Sequence, residues 1–327
     1  METAQVNHGA LREFYNTKYA GGYMSNDRYA RWSYSGPQLL RIRETLRYVP
    51  RGPSAVLDYG CGGGAWTSVL STYFPQAQVY GIDIAEVAIE RARSTFPRQT
   101  FCAFDGVKAP FPSDFFDMVF SYHVLEHVVN IEESIADICR LLTQGGYACI
   151  VLPFGNDGSF EDWAMRRMRG GIQLTSEGRK VHFYEPAIGH LRRMRSDETI
   201  RLFEHHGVAV KHAFYSNQFI GWVDWLVRGH DHATIDSMFE ICKATSRLAK
   251  AQLLAVQKSL RVLNRISGWS SIDLRKKRTL PKAVLARVAK AGALGVERSL
   301  MRLAICEWQV LKRRQNGSEQ LLILRKR

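Results

Sequence analysis

The sequence predicts an α/β protein built on a doubly wound, seven-stranded, mostly parallel sheet, with a long helical insertion before the last strand. Short apolar runs of strand length alternate with helix-period segments from residue 51 to 152, which is the signature of βαβ units. Most of these runs are apolar on both faces, as strands covered by helices on both sides must be. A last apolar run, Gln320 to Leu324, follows almost a hundred residues of helical spacing.

Residues 9–20 and 36–48 read as helices, the second through Leu39, Leu40, Ile42, Leu46 and Val49. Ala55 to Asp58 is the first strand, closed by Gly60-Cys61-Gly62-Gly63-Gly64; Trp66, Val69, Leu70 and Tyr73 then stripe a helix. Gln78 to Ile82 is the second strand, ending at Asp83, with a helix over 85–94. Thr100 to Phe104 is the third, ending at Asp105. Phe116 to Phe120 is the fourth and leads through Ser121-Tyr122-His123 into a helix across 130–142. Gly145-Gly146 is expected to stop that helix before a fifth strand, Tyr147 to Leu152, which Pro153 ends. Residues 154–195 read as loop, 196–206 as helix and Val208 to Tyr215 as the sixth strand. The division expected is an N-terminal helical flap (1–50), a ligand-binding α/β domain (51–216), a basic helical insertion (217–315) and the last strand (316–327).

Charge is uneven along this plan. The chain of 327 residues carries a net charge of +14, yet residues 1–231 are near neutral at −1 and the last 96 residues hold +15. All ten histidines fall at or before His232, so proton-transfer groups belong to the first part. The six cysteines show no C-x-x-C pairing and suit reduced thiols; no metal ligand set is assigned. No apolar run reaches membrane-spanning length and the start lacks a signal-peptide layout, which predicts a cytoplasmic protein.

Gly60, Gly62 and Gly64, where a strand turns into a helix, let backbone approach a ligand and aim a helix N-terminus at it. Asp58, Asp83 and Asp105 close three successive strands at the edge where open parallel sheets bind ligands. Asp83 lies 23 residues after Gly60, the spacing at which a carboxylate takes ribose hydroxyls. Gly60-x-Gly62-x-x-Ala65 also fits a dinucleotide fingerprint, but Asp58 would set like charge near a pyrophosphate, whereas a cationic sulfonium and ammonium would welcome it.

The segments Val56 to Gly64, Val79 to Asp83, Phe101 to Gly106, Phe116 to His127 and Leu141 to Tyr147 resemble class I S-adenosylmethionine-dependent methyltransferases, particularly their ubiquinone/menaquinone-biosynthesis-like branch. The resemblance implies a Rossmann-like methyltransferase fold and S-adenosylmethionine as cofactor. It implies that Asp58, Gly60, Gly62 and Gly64 hold the methionine part, Asp83 the ribose, and Asp105 with Gly106 the adenine. Cys61 and Ile84 complete these contacts, and Ser121, Tyr122 and His123 line the floor beside the methyl group. A weaker resemblance continues through Gly189 to Arg193 into Glu198, Leu202, Phe203 and Gly207.

Methyl transfer from a sulfonium is an in-line displacement needing proximity, orientation and, for a proton-bearing acceptor, a base. His127, His190 and Tyr184 are the catalytic candidates by position, with His182 beside them. Phe-Ser-Tyr-His after the fourth strand replaces the Asn/Asp-Pro-Pro-aromatic motif of amine methylation on bases, and no Pro-Cys nucleophile follows it, so nucleic acid recedes as acceptor. O-methylation of a small-molecule or lipid-linked acceptor is the expected reaction. A nicotinamide-dependent oxidoreductase on the same glycine loop and an RNA methyltransferase are the alternatives. Tyr23, Arg28, Tyr29, Arg31, Trp32 and Tyr34 read either as a flap over the site or as ordinary surface anchoring. For residues 217–315 three readings compete. They are a cap or homodimer arm, an anionic membrane surface anchored by Phe219, Ile220, Trp222, Trp225, Leu226 and Val227, and RNA binding through Arg275 to Arg278. The membrane reading would set the protein peripherally on the inner membrane surface.

Overall fold

A computed structural model describes residues 7–22, 34, 36–50, 52–155, 158–175, 178–271, 273 and 280–327. Of the aromatic and basic N-terminal run, all but Tyr34 lies outside the described residues, as does Arg275 to Arg278.

Two helices, α1 (His8–Ala20) and α2 (Pro37–Leu46), precede the strands β1 (Ala55–Tyr59), β2 (Gln78–Asp83), β3 (Thr100–Ala103), β4 (Phe116–Tyr122) and β5 (Leu142–Pro153). Helices α3 (Ala65–Tyr73), α4 (Glu86–Thr95) and α5 (Ile131–Leu141) connect them, and α8 (Ser196–His205), β8 (Val208–Ser216) and β9 (Glu319–Lys326) complete the sheet. Its order is β3-β2-β1-β4-β5-β9-β8, seven strands as predicted, parallel except that β9 runs against both neighbours. Successive residues of β1 serve opposite layers: Val56 packs with Ile42, Leu70 and Trp308, and Leu57 with Ile135, Ile138 and Phe203. This is why the strands read apolar on both faces.

The fifth strand differs from the reading. It starts at Leu142, directly after α5, and Gly145 lies inside it with φ +77°, close to the register shift between Phe116 and Met118 on β4. The glycine pair therefore shapes an irregular strand start and does not stop a helix. The stretch read as loop folds into α6 (Phe160–Met165), a hairpin of β6 (Ile172–Leu174) and β7 (Lys180–His182), and α7 (Glu185–Ile188).

Topology decides where the insertion goes. Ser216, ending β8, pairs with Glu319, opening β9, and Glu319 pairs with Pro153 at the carboxyl end of β5. Residues 217–315 thus leave and return at the sheet edge where the parallel strands end. They form α9 (Ile220–Gly229), α10 (His232–Met238), α11 (Arg247–Gly268) and α12 (Leu280–Leu311). Trp222, Leu226 and Val227 are buried with Leu253, Leu260 and Met165, so these three are core residues and not interfacial anchors. Trp225 is partly buried in the same cluster, and Phe219 stays exposed. All six cysteines are free thiols; Cys61, Cys139 and Cys149 are buried, while Cys242 and Cys306 are exposed. No described helix is long and apolar enough to cross a membrane.

Trp308 of α12 is 1% exposed in the sheet's own layer, and its indole N–H donates to Glu44 at 2.9 Å. Trp308→Ala should therefore lower the unfolding free energy of the whole protein by about 3–5 kcal/mol in urea titration. A loss below about 1 kcal/mol would make α12 a detachable arm.

Candidate active site

The glycine loop after β1 is left-handed at Gly60 (φ +80°), Gly62 (φ +50°) and Gly64 (φ +82°). A Cβ on Gly62 would stand 2.5 Å from the Tyr19 hydroxyl, so the loop needs glycine both for its turn and for close approach. Asp83 ties the loop to β2, its carboxylate accepting from the Gly62 N–H at 2.8 Å and the Ala85 N–H at 2.9 Å. Burial raises its pKa despite these bonds. Asp58 is 1% exposed beneath the loop and accepts from the Thr67 hydroxyl at 2.6 Å. Burial, with the Asp83 charge adding, pushes Asp58 up to about 7.

A cavity of about 1140 Å³ opens above this loop at the carboxyl ends of the parallel strands. Of the residues expected at a cofactor, Gly60, Cys61, Gly62, Asp83, Ile84, Gly106, Tyr122 and His123 line it. Four do not. Asp58 lies below the loop, and Gly64 caps α3 with Phe101 filling the space behind it. Ser121 is buried within β4, and Asp105 turns outward, its Oδ1 taken by the N–H groups of Val107 and Lys108 at 2.8 and 3.1 Å. Those two bonds hold the Asp105 carboxyl below its ordinary range.

The three catalytic candidates also line the cavity, and the fold brings His127 and His190 together with ring centres 4.7 Å apart. His127 Nδ1 meets the Gly189 carbonyl at 2.9 Å and the Tyr15 hydroxyl at 2.6 Å. Burial, aided by the neighbouring His190, pushes His127 down to about 4, so it is neutral at physiological pH. Tyr184 differs from the expectation. Its hydroxyl donates to Glu161, and burial raises it well above the usual phenol range, so it is a committed donor and not a base.

Sequence reading passed over the carboxylates that organise this wall. His123 takes a left-handed backbone (φ +53°) and sits 3.0 Å from both Glu126 and Glu319. Burial opposes its charge, but the two carboxylates outweigh it and hold His123 up at about 10. Glu185 receives His190 Nδ1 at 3.0 Å and Arg193 at 3.1 Å, and Arg193 donates to Glu161 at 2.6 Å and to the Phe154 carbonyl. His182 also joins this cluster, 2.7 Å from Arg193. The Glu126-His127 pair and the Arg-rich 189–193 segment were the available signals; nothing local marked Glu319.

The far wing of the cavity comes from the insertion, through Trp222, Trp225, Met238 and Glu240. The first part of the insertion, residues 217–240, therefore lines the site.

Asp58 gives a pH test. Its folded pKa is raised, so ionising it between about pH 4 and 7 costs stability that Asp58→Asn avoids while retaining an acceptor for Thr67. In cofactor-free protein the variant should gain on the order of 4 kcal/mol over wild type above pH 7 and little at pH 4, read by urea unfolding. A gap independent of pH would mean that Asp58 ionises normally.

Comparison with known proteins agrees with this geometry. A family model described as a methyltransferase domain matches residues 57–150. Malonyl-[acyl-carrier protein] O-methyltransferase of Legionella pneumophila is 28% identical over 109 residues, 32% of this chain and 38% of that protein. Trans-aconitate 2-methyltransferase of Paracidovorax citrulli is 34% identical over 112 residues, 34% of this chain and 43% of that protein. The chain thus spans about two-fifths of these relatives' length. Among solved structures, a Haloferax volcanii protein described as a methyltransferase, in complex with the Trm112 methyltransferase activator, covers 95% of this chain and 97% of its own at 13% identity, with a TM-score of 0.52, a likeness of fold. The glycine loop, the strand-end acids and the sequence match over the same residues together give the chain, at residues 57–150, a methyltransferase domain of the class I S-adenosylmethionine-dependent family, of the ubiquinone/menaquinone-like kind.

Proposed function

We propose that the protein transfers a methyl group from S-adenosylmethionine to an oxygen of a small-molecule or lipid-linked acceptor. The observation that carries this reading is one continuous cavity joining the glycine loop, the histidine wall and an aromatic wing. The loop fits the cofactor. Gly62 has no room for a side chain, and Asp58 and Asp83 are buried carboxylates with no Lys or Arg partner among the described residues, a setting that favours a cationic ligand. S-adenosylmethionine, when bound, supplies a methyl group already activated on sulfur.

The chain's own residues then have to bind and orient. Asp83 would accept the ribose hydroxyls, Gly60 and Gly62 would give room to the methionine part, and Ile84 and Gly106 would flank the adenine. The acceptor enters against Trp222, Trp225 and Met238, which keep water from the reacting atoms. His127 and His190, each held at Nδ1, offer Nε2 to the acceptor's proton. The Legionella pneumophila relative is an O-methyltransferase by name, which favours oxygen as the methylated atom.

Exposed Val284, Leu285 and Val288 lie among Arg287 and Lys290 on α12, an apolar and basic strip that supports the lipid-linked form of the reading. A peripheral membrane position belongs to that form.

Asp83→Ala should weaken S-adenosylhomocysteine binding at least about tenfold in calorimetry, or 1.4 kcal/mol; unchanged affinity would sink the ribose contact. Methyl-labelled S-adenosylmethionine incubated with the protein and a cell extract should yield labelled product. Label in the organic phase identifies a lipid-linked acceptor, and label in the aqueous phase a polar metabolite. No label in either phase, with S-adenosylhomocysteine still bound, overturns methyl transfer.

A further inference from the structure

Glu126, His127 and His190 converge on one wall of the cavity. One ligand atom from each lies within 4.8 Å of the others; Glu126 Oε1 is 3.8 Å from His127 Nε2 and 4.0 Å from His190 Nε2. Two separate segments supply them, the turn after β4 and the chain following α7, so tertiary folding makes the cluster.

Each imidazole is fixed through its other nitrogen. His127 Nδ1 faces the Gly189 carbonyl, and His190 Nδ1 faces Glu185 Oε1. Carbonyl and carboxylate oxygens only accept, which puts the ring hydrogens on Nδ1 and leaves both Nε2 lone pairs toward Glu126. Glu126 is 1% exposed, and while its Oε1 receives His123, its Oε2 has no hydrogen-bond partner. A buried carboxylate oxygen without a partner is expensive. Glu126 thus brings one oxygen, Oε1, near both Nε2 lone pairs and holds the other, Oε2, without a partner on the same carboxylate, a donor set that calls for a cation.

We infer that Glu126, His127 and His190 form a site for a divalent first-row transition metal ion. Two imidazoles and one carboxylate facing an open cavity are the donors of catalytic metal sites with free positions. Glu185, Gly189 and Tyr15 act as the outer partners that orient such ligands. The two Glu126 separations need about half an ångström of contraction to suit tetrahedral bonds of about 2.0–2.2 Å, and the histidine pair, within 4.8 Å, has to close by up to about 1.4 Å. The site's open positions face the space assigned above to the acceptor; with the ion in place both Nε2 atoms are its ligands, so the ion would take over from the free imidazoles, holding an acceptor oxygen and easing release of its proton to water. That use rests on the methyl-transfer reading; the site itself does not.

The test is titration of chelator-stripped, full-length protein with Co²⁺, followed by visible absorption and calorimetry, without S-adenosylmethionine. One Co²⁺ per chain, displaced by Zn²⁺, is expected. Glu126→Gln and His190→Ala should each weaken it by at least about 100-fold, with thermal melts confirming that they fold. Replacing the surface pair His205 and His206 by alanine should leave it unchanged. Absence of stoichiometric Co²⁺ binding to wild type, or binding retained in both folded ligand variants, overturns the site. Neither result touches the methyl-transfer reading, which labelled transfer tests separately.

Discussion

Charge neutrality in a buried place governs the centre of this molecule. Glu126, Glu161, Glu185 and Glu319 are each no more than 4% exposed, around the floor of the cavity. A carboxylate taken out of water costs several kcal/mol unless a partner answers it. Arg193 answers Glu161 and Glu185, and His123 answers Glu126 and Glu319. Glu319 also receives Gln38 at 2.9 Å and the hydroxyl of Ser216. The carboxylates come from the turn after β4, α6, α7 and β9, and their partners from that same turn, the segment between α7 and α8, β8 and the N-terminal α2. The cavity wall is therefore held by cross-links between segments far apart in the chain, and removing one member leaves a buried charge exposed to none of its compensation.

The insertion is fastened by the same means. Glu307 on α12 accepts from the N–H groups of Phe219, Ile220 and Gly221, capping the start of α9 with a negative charge where the helix dipole favours one. Arg41 of α2 donates to Asn217 at 2.6 Å, at the point where the chain leaves β8. Trp308 then closes the layer against α2. Anchored at both ends, α9 presents Trp222 inward and Trp225 to the cavity, while Arg287, Arg298 and Arg302 stay on the solvent side of α12. Charge counting saw the solvent side; it had no access to the inner face.

The two halves of the site were unequally readable for a physical reason. The cofactor half consists of local signals: a strand, glycines with left-handed backbone, and an acid at the next strand end, each within about 25 residues of the others. Even there, Asp105 and Asp58 show the limit, because spacing places a residue at a strand end but does not say whether its carboxylate faces the cavity, the loop above it or its own backbone. The histidine half depends on pairs such as His127 with Gly189, His190 with Glu126, and His123 with Glu319, for which one sequence carries no periodicity. Tyr184 was found by position, and its chemistry was decided by Glu161, which position could not reveal.

One element bridges the halves. On α1, Tyr15 and Tyr19 are four residues apart and so share a face, separated by about 6 Å of helical rise. The Tyr19 hydroxyl lies over Gly62 while the Tyr15 hydroxyl meets His127, and Asn16 between them accepts from the Val87 N–H at 3.1 Å, docking α1 on α4. Arg91 of α4 adds a bond to the Tyr19 carbonyl at 2.7 Å. A helix keeps its own length, so any displacement of α1 at the glycine loop must also move the hydroxyl that helps orient His127. The N-terminal helix thus touches both halves of the cavity, with Tyr19 at the glycine loop and Tyr15 at the histidine wall, and its docking on α4 fixes both hydroxyls at once.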